Sequence, residues 1–418
     1  MQIKKYIRKL LYNALILPLR HWQHKNRIKR IKKNGHADVV FLCMNLAMWR
    51  YEGVLRHMLD DQRFRCHVIF GTFISLSEQE TQSNFKTLQE HFAAQNIHLI
   101  NSTTPEGMDE ALLVMKDADI IFYPQPYGKL FCNKLDNKYY RERLLCYIPY
   151  AFSTATADWA YNTALHNQAW RLYRESDLHL SEAQQMAINK GKNIVVVGNI
   201  KAEEFYNNHS SQSVWKEQPT PKKRIIWGPH FSIEPNSPMG RNGFLWLSEI
   251  MPKLAEQYAD KVQIAFKPHP KLFSTLCHLD GWGKERAQQY YDMWCNMDNG
   301  QCDLGDYVTL FKQSDAIIHD SGSFTIDYLY TGKPAMFVTS DIKDVKSRLN
   351  KIACLALEQY YIGTCQDDVV RFIEDVVLGG NDEKKAARED FRDHYLLSSN
   401  GKDVSLAVYN DIVSNVFG

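Results

Sequence analysis

Residues 314–338, SDAIIHDSGSFTIDYLYTGKPAMFV, confine the chain to an α/β fold before anything else is read. Ala316–Ile318 reads as a buried strand and His319–Ser323 (HDSGS) as a tight turn. An amphipathic helix follows, closed by Gly332-Lys333-Pro334 ahead of a second apolar strand, Ala335–Val338. Two strands joined through a helix run parallel in one sheet. A turn at that place offers backbone amides at a helix N-terminus, whose partial positive charge favours a phosphate or diphosphate. Gly322 lets the backbone approach such an anion, Ser321 and Ser323 add hydroxyl donors, and Phe324 ends the turn. Asp327 lies one helical turn beyond Ser323, where a carboxylate can accept hydrogen bonds from a ribose diol.

A second segment supplies a cation and an imidazole. Val262–Phe266 reads as a strand, and Lys267-Pro268-His269-Pro270 follows its carboxyl end, the side on which open α/β sheets bind ligands. The flanking prolines fix the backbone around His269, so its ring reaches the same phosphates at small ordering cost. His230, in WGPHFS (Trp227–Ser232), follows the first strand of the same series and suits the donor or the reaction centre. The plainer alternative makes Ser-Gly-Ser an ordinary strand-to-helix turn and His269 a loop histidine.

Together the two segments resemble the CDP-glycerol glycerophosphotransferase family, which builds or primes teichoic-acid-like and capsular polyol phosphates. The resemblance rests on the Lys267–His269–Pro270 motif and on residues 314–338, where Asp320, Ser323, Asp327, Lys333 and Pro334 fall on matching positions; Ser321 and Gly322 depart from the family pattern. It is strong from Trp227 onward. A similar Asp-Ser-Gly turn occurs in other nucleotide-sugar enzymes of GT-B architecture, including UDP-N-acetylglucosamine 2-epimerases. The implied fold is α/β and GT-B-like, with two facing Rossmann-like domains, an interdomain cleft and a basic amphipathic leader in front.

The leader is the one place where charge is informative. Between Lys4 and Lys33 there are eleven Lys or Arg and no acid, and Ile3, Tyr6, Ile7, Leu10, Leu11, Ala14 and Leu17 recur at helical spacing. The apolar stretch Leu10–Leu19 is too short to span a bilayer, and no small-residue cleavage site follows it. The pattern fits an interfacial helix on an anionic membrane surface, placing the protein in the cytoplasm against the inner face of the membrane. The alternative is a basic leader docked on its own protein. No recognised nucleic-acid-binding motif accompanies the charge. Nine scattered cysteines make no Cys-x-x-Cys pair, suggesting neither a zinc site nor a disulfide framework.

Downstream, Val39–Cys43, His67–Phe70, Ile97–Ile100, Asp119–Phe122, Leu144–Ile148, Leu178–Leu180 and Ile194–Val197 read as strands of one α/β domain. A second series begins at Arg224–Trp227 and continues through Val262–Phe266, Ala316–Ile318 and Ala335–Val338. The organisation expected is a leader over 1–33, an acceptor-side domain over 34–208, a linker over 209–223, a donor-binding domain over 224–380, and helices over 381–418 that cross back to the first domain. Lys116–Ile121 echoes Gln313–Ile318, so Asp117 and Asp119 read as a helix end and a strand start rather than as a metal-binding Asp-x-Asp.

The family resemblance implies a transfer of glycerol or ribitol phosphate from a CDP-linked donor to a glycan or lipid-linked acceptor, with release of CMP. His269 and His230 would be the catalytic pair, and Lys267, Asp320, Ser321, Gly322, Ser323, Phe324 and Asp327 would hold the donor; no metal or cofactor is required. In the first domain the family carries a His-Gly-Thr motif, whereas the matching stretch here, Tyr147–Thr154, has no histidine. Substitute bases are Glu52, His57, Asp158 and His166. Trp49 and Arg50, in the loop after the first strand, together with Tyr150, are the acceptor-side candidates, suited to a sugar ring and a phosphate. The alternatives are a nucleotide-sugar glycosyltransferase releasing a nucleoside diphosphate, and a non-catalytic nucleotide-binding assembly protein.

Overall fold

The computed structural model describes residues 11–127, 133–207, 212–233, 243–305, 307–397 and 403–418. They form two compact units. Unit 1 comprises described residues of 1–153, 157–201 and 397–418, and unit 2 those of 154–156 and 202–396. The division between the units thus falls after Lys201, upstream of the expected linker, and residues from 397 onward belong to unit 1.

Unit 1 is a sheet of seven parallel strands: β1 (Ala37–Cys43), β2 (Phe64–Phe70), β3 (Leu99–Asn101), β4 (Ile120–Phe122), β5 (Leu144–Tyr147), β6 (Arg171–Arg174) and β7 (Ile194–Val196), in the order β3-β2-β1-β4-β5-β6-β7. Helices cover both faces, which explains why β1 is continuously apolar from Val39 to Cys43 rather than alternating. Val39, Phe41 and Cys43 enter one core while Val40 and Leu42 enter the other. Leu178–Leu180, expected as a strand, lies inside the helix Asp177–Met186, and the strand in that region is β6. Two leucines either side of a histidine do not separate a short strand from one buried helical turn.

Unit 2 has six parallel strands: β8 (Lys223–Gly228), β9 (Val262–Phe266), β10 (Gly300–Cys302), β11 (Ala316–His319), β12 (Ala335–Val338) and β13 (Tyr361–Gly363), ordered β10-β9-β8-β11-β12-β13. Its core is aromatic. Trp227 is fully buried, stacked on Phe244 at 5.9 Å and packed against Phe266 and Trp294. In both units the strand order reverses beside the first strand, between β1 and β4 and between β8 and β11. Ligands of open sheets bind at such reversals, outside the carboxyl ends of the strands.

Residues Leu17–Asn34 form a helix packed on unit 1, capped by left-handed Gly35 at φ 73°. Ile31 is fully buried, a contact that contributes about 1.5–3 kcal/mol. Asp119 accepts from Arg27 Nη1 at 3.3 Å, from Arg30 Nε at 3.1 Å and from the Asp38 amide at 3.2 Å. Asp119 is therefore an anchor between this helix and the sheet. Asp315 does the corresponding work in unit 2, accepting the Arg224 amide at 2.9 Å. Residues 17–33 are thus an integral part of unit 1, correcting the expectation of a separable leader. The helix nonetheless keeps one apolar face in solvent, with Leu11, Leu15, Leu19 and Trp22 between 45% and 62% exposed. Ile3, Tyr6, Ile7 and Leu10 lie outside the described residues. No described helix is long and apolar enough to cross a membrane.

Candidate functional site

Three neighbouring strands of unit 2 end in histidines. His319 is the last residue of β11, His230 follows β8 by two residues, and His269 follows β9 by three. Each Nδ1 accepts the backbone amide two residues on: Ser232 N to His230 at 3.3 Å, Lys271 N to His269 at 3.1 Å, and Ser321 N to His319 at 3.1 Å. An Nδ1 that accepts an N–H leaves the ring proton on Nε2, so all three imidazoles are fixed as Nε2–H donors. The rings of His230 and His269 are 4.8 Å apart, with Phe231 against both.

Burial keeps these rings neutral. Desolvation lowers His230 to about 3, with His269 and Lys271 adding smaller repulsions. It lowers His269 to about 4, assisted by Lys271. His319, packed among Phe324, Phe337 and Tyr360, is lowered to about 3, and its Nε2 has no hydrogen-bond partner among the described residues. The sequence reading passed over His319. The signal was available: His-x-Ser or His-x-Lys recurs immediately after β8, β9 and β11.

The HDSGS turn lies at the end of β11, beside β8 across the reversal point. Close approach is built in at Gly228, where a Cβ would sit 3.2 Å from the Phe324 ring. Ser321 is buried and Ser323 exposed, with their hydroxyls 3.4 Å apart. Gly332, at φ 69°, caps the short helix that follows, in a left-handed conformation that favours glycine.

Several expected ligand contacts are already engaged within the protein. The buried Asp320 carboxylate accepts the His230 amide at 2.6 Å and the Gly243 amide at 2.9 Å, so it holds two loops rather than the donor. Desolvation pushes it up to about 7 against those two amides. Asp327 is buried and accepts from the Tyr307 hydroxyl. Lys267 is buried, paired with Asp303 at 3.1 Å and donating to the Gly305 carbonyl. The exposed cation beside the histidine pair is instead Lys271, 5.5 Å from the Phe231 ring centre. Lys333 donates to the Lys312 carbonyl at 2.6 Å, tying down the end of the preceding helix.

In unit 1, Arg50 and Tyr150 come together. Arg50 Nε donates to the Tyr150 carbonyl at 3.0 Å and Nη1 to the Trp49 carbonyl at 2.9 Å, clasping the loops after β1 and β5. Trp49 is corrected to a core residue: its ring is 6% exposed, packed edge-on against Phe92 and Tyr51, with Nε1 donating to Glu52 at 2.7 Å. Of the substitute bases, Glu52 is bound by Trp49, His91 and Arg56, and His57 faces Asp403 at 3.8 Å. Asp158 accepts from Asn162 at 3.0 Å, and His166 is buried and lowered by desolvation to about 3.

No family model and no curated protein matches this chain. Solved structures do. The wall teichoic acid polymerase TagF superposes with a TM-score of 0.58 at 14% identity, over 99% of this chain and 97% of that one. The Staphylococcus aureus MnaA–UDP co-structure gives 0.56 at 13% identity, over 90% and 96%. A Listeria monocytogenes protein described as a putative UDP-N-acetylglucosamine 2-epimerase gives 0.56 at 13%, over 91% and 96%. These likenesses establish the fold: two Rossmann-like units of the GT-B type.

Proposed function

We propose that the protein is a transferase that moves a polyol phosphate, glycerol or ribitol phosphate, from a CDP-activated donor onto a glycan or lipid-linked acceptor. The observation that carries this reading is the convergence of three Nε2–H histidines and the HDSGS turn at the strand reversal of unit 2. Neutral N–H donors and the adjacent Lys271 suit a diphosphate, and the likeness to TagF adds weight to a CDP-linked one. In the reaction the acceptor hydroxyl oxygen bonds to the β-phosphorus, the bridging P–O bond to the α-phosphate breaks, CMP leaves and the hydroxyl proton passes to solvent or a base. Positioning and charge stabilisation carry most of such a step.

A nucleotide-sugar glycosyltransferase is the second reading, favoured by the absence of histidine from Tyr147–Thr154 and by the MnaA and epimerase likenesses. Phosphorus NMR separates the two. With CDP-glycerol or CDP-ribitol and an acceptor, CMP and a new phosphodiester resonance are expected, without dependence on added magnesium. Release of a nucleoside diphosphate from a nucleotide sugar instead would establish the second reading. Binding of nucleotide with turnover of neither donor would leave an assembly protein.

The reading also places the protein against an anionic membrane. It is supported by the exposed Leu11-Leu15-Leu19-Trp22 face and by a concavity of about 350 Å³ beside Trp22, lined in part by Arg27 and Arg30. Deleting residues 1–33 would remove the core residue Ile31, so the test uses point changes. Leu15→Glu with Trp22→Glu is expected to release the folded protein from phosphatidylserine vesicles, and salt should weaken binding of the unaltered protein. Unchanged attachment of the double variant would remove membrane docking from the proposal.

A further inference from the structure

The carboxyl ends of β4, β5 and β6 gather a second set of groups that the donor site does not use. Tyr127 follows β4, Tyr147 ends β5, and Arg174 ends β6. The short helix Asp158–Tyr161 sets Trp159 beside Tyr127, ring centres 5.9 Å apart, with Trp159 56% exposed. Near Trp159 and the half-buried Tyr127 lies a set of buried polar groups. Arg174 is 3% exposed, its guanidinium 5.0 Å from the Tyr161 ring centre. Its Nε lies 3.1 Å from Glu175 Oε2, and neither Nε nor Nη2 makes a hydrogen bond among the described residues.

His166 repeats the arrangement. It is 2% exposed, packs edge-on against Tyr147 at 5.9 Å and accepts the Thr163 amide on Nδ1 at 3.2 Å, which leaves the proton on Nε2. That buried Nε2 also lacks a partner. Arg174 and His166 belong to one cluster, since the arginine's charge reinforces the burial that keeps His166 neutral, and the same charge acts on Tyr127 and Tyr147. Buried donors without partners are rare in native proteins and mark places where a polar ligand or water completes the bonding.

We propose that this cluster is a carbohydrate subsite, in which Trp159 and Tyr127 stack on a pyranose ring and Arg174 Nη2 with His166 Nε2 binds an anionic substituent of that sugar. Aromatic faces suit the apolar C–H surface of a sugar ring, and a buried guanidinium whose Nε–H and Nη2–H have no hydrogen-bond partner among the described residues has donors left for an anion. The substituent is a carboxylate or a phosphate. That this sugar is the acceptor rests on the transferase reading; that it binds does not.

The test measures binding to the full-length protein by saturation-transfer NMR and tryptophan fluorescence, without donor. The probes are glucuronic acid, N-acetylglucosamine 1-phosphate and neutral N-acetylglucosamine. At least one anionic probe is expected to bind about tenfold or more tightly than the neutral sugar, and which one does identifies the substituent. Trp159→Ala, an exposed change, should weaken that binding by about tenfold while leaving the thermal midpoint and CDP-glycerol affinity as they were. Arg174→Lys should remove the preference for the anionic sugar; should that variant fold poorly, the anionic-against-neutral comparison on the unaltered protein decides the same point. Equal affinity for all three probes, no binding of any, or full affinity in Trp159→Ala overturns the proposal. Failure of the unaltered protein to bind CDP-glycerol would instead sink the donor reading and leave the sugar result standing.

Discussion

Replacing His269 by alanine is expected to lower CDP-polyol turnover by one to two orders of magnitude while leaving the fold intact. His269 is only half-buried and its ring sits outside the sheet, so its removal costs little packing. What is lost is an Nε2–H donor to a charged group, and such bonds contribute about 1.5–3 kcal/mol. His230→Ala should act in the same direction, with some added destabilisation because that ring is 8% exposed and bonded to Ser232 Oγ at 2.8 Å. Glutamine at 269 presents a neutral N–H near the position of Nε2, so His269→Gln should recover part of the loss. The comparison of alanine with glutamine is the informative one. Steady-state rates and calorimetric donor affinities for both variants check it, and wild-type turnover in His269→Ala would remove this histidine from the reaction.

Acidification is expected to destabilise both units. Burial lowers His24 to about 4 and His166 to about 3 in unit 1, and lowers His230 and His319 to about 3 and His269 to about 4 in unit 2, all from 6.5. A histidine depressed in the folded state contributes stability that is complete above the unfolded value and is lost as pH falls towards the folded one. Between pH 6.5 and 4, each therefore costs about 1.4 kcal/mol per pH unit. Asp320 has the opposite sign: raised from 3.8 to about 7, it keeps a proton that the unfolded chain has released, so its contribution is lost as pH rises through 7. In this window Asp320 offsets one of the three histidines of unit 2, leaving two, the same number as His24 and His166 in unit 1. The expected slope is about 3 kcal/mol per pH unit for each unit. Calorimetry across that range, with near-ultraviolet dichroism, reads the two transitions; a pH-independent midpoint for unit 1 would overturn the account.

The sequence made the parallel-sheet units legible because their central strands are short apolar runs ending in glycine- or proline-bearing turns. β8, β9 and β11 all have this form. The edges of unit 2 were not legible. β10 is Gly300–Cys302 and β13 is Tyr361–Gly363, three residues each, too short for any periodicity to register. Within the site, the histidines could be read because each follows a strand. Lys267 and Lys271 flank His269 at two residues on either side, and nothing in that symmetry says which one is consumed by Asp303. Trp49 failed for a related reason: an aromatic in a loop after a strand reads equally as a stacking surface or as core. Arg174, a single cation at the end of RLYR, carries no linear signal, because its meaning comes from Tyr127, Trp159 and His166 on other strands' loops.

The helix Val404–Val416 buries Val408, Ile412 and Val416 in the core of unit 1, against the helix Glu52–Leu59 and within reach of Lys32, whose Nζ donates to the Gly418 carbonyl at 2.6 Å. Every residue of unit 2 is therefore made before unit 1 can be completed. On the ribosome, unit 2 has all of its strands available while the sheet made first still waits for its last covering helix, leaving apolar surface around β1 and β2 open for the time taken to synthesise some two hundred residues. The half of the molecule translated first is the half that matures last, and the interval between the two is when a chaperone would find it.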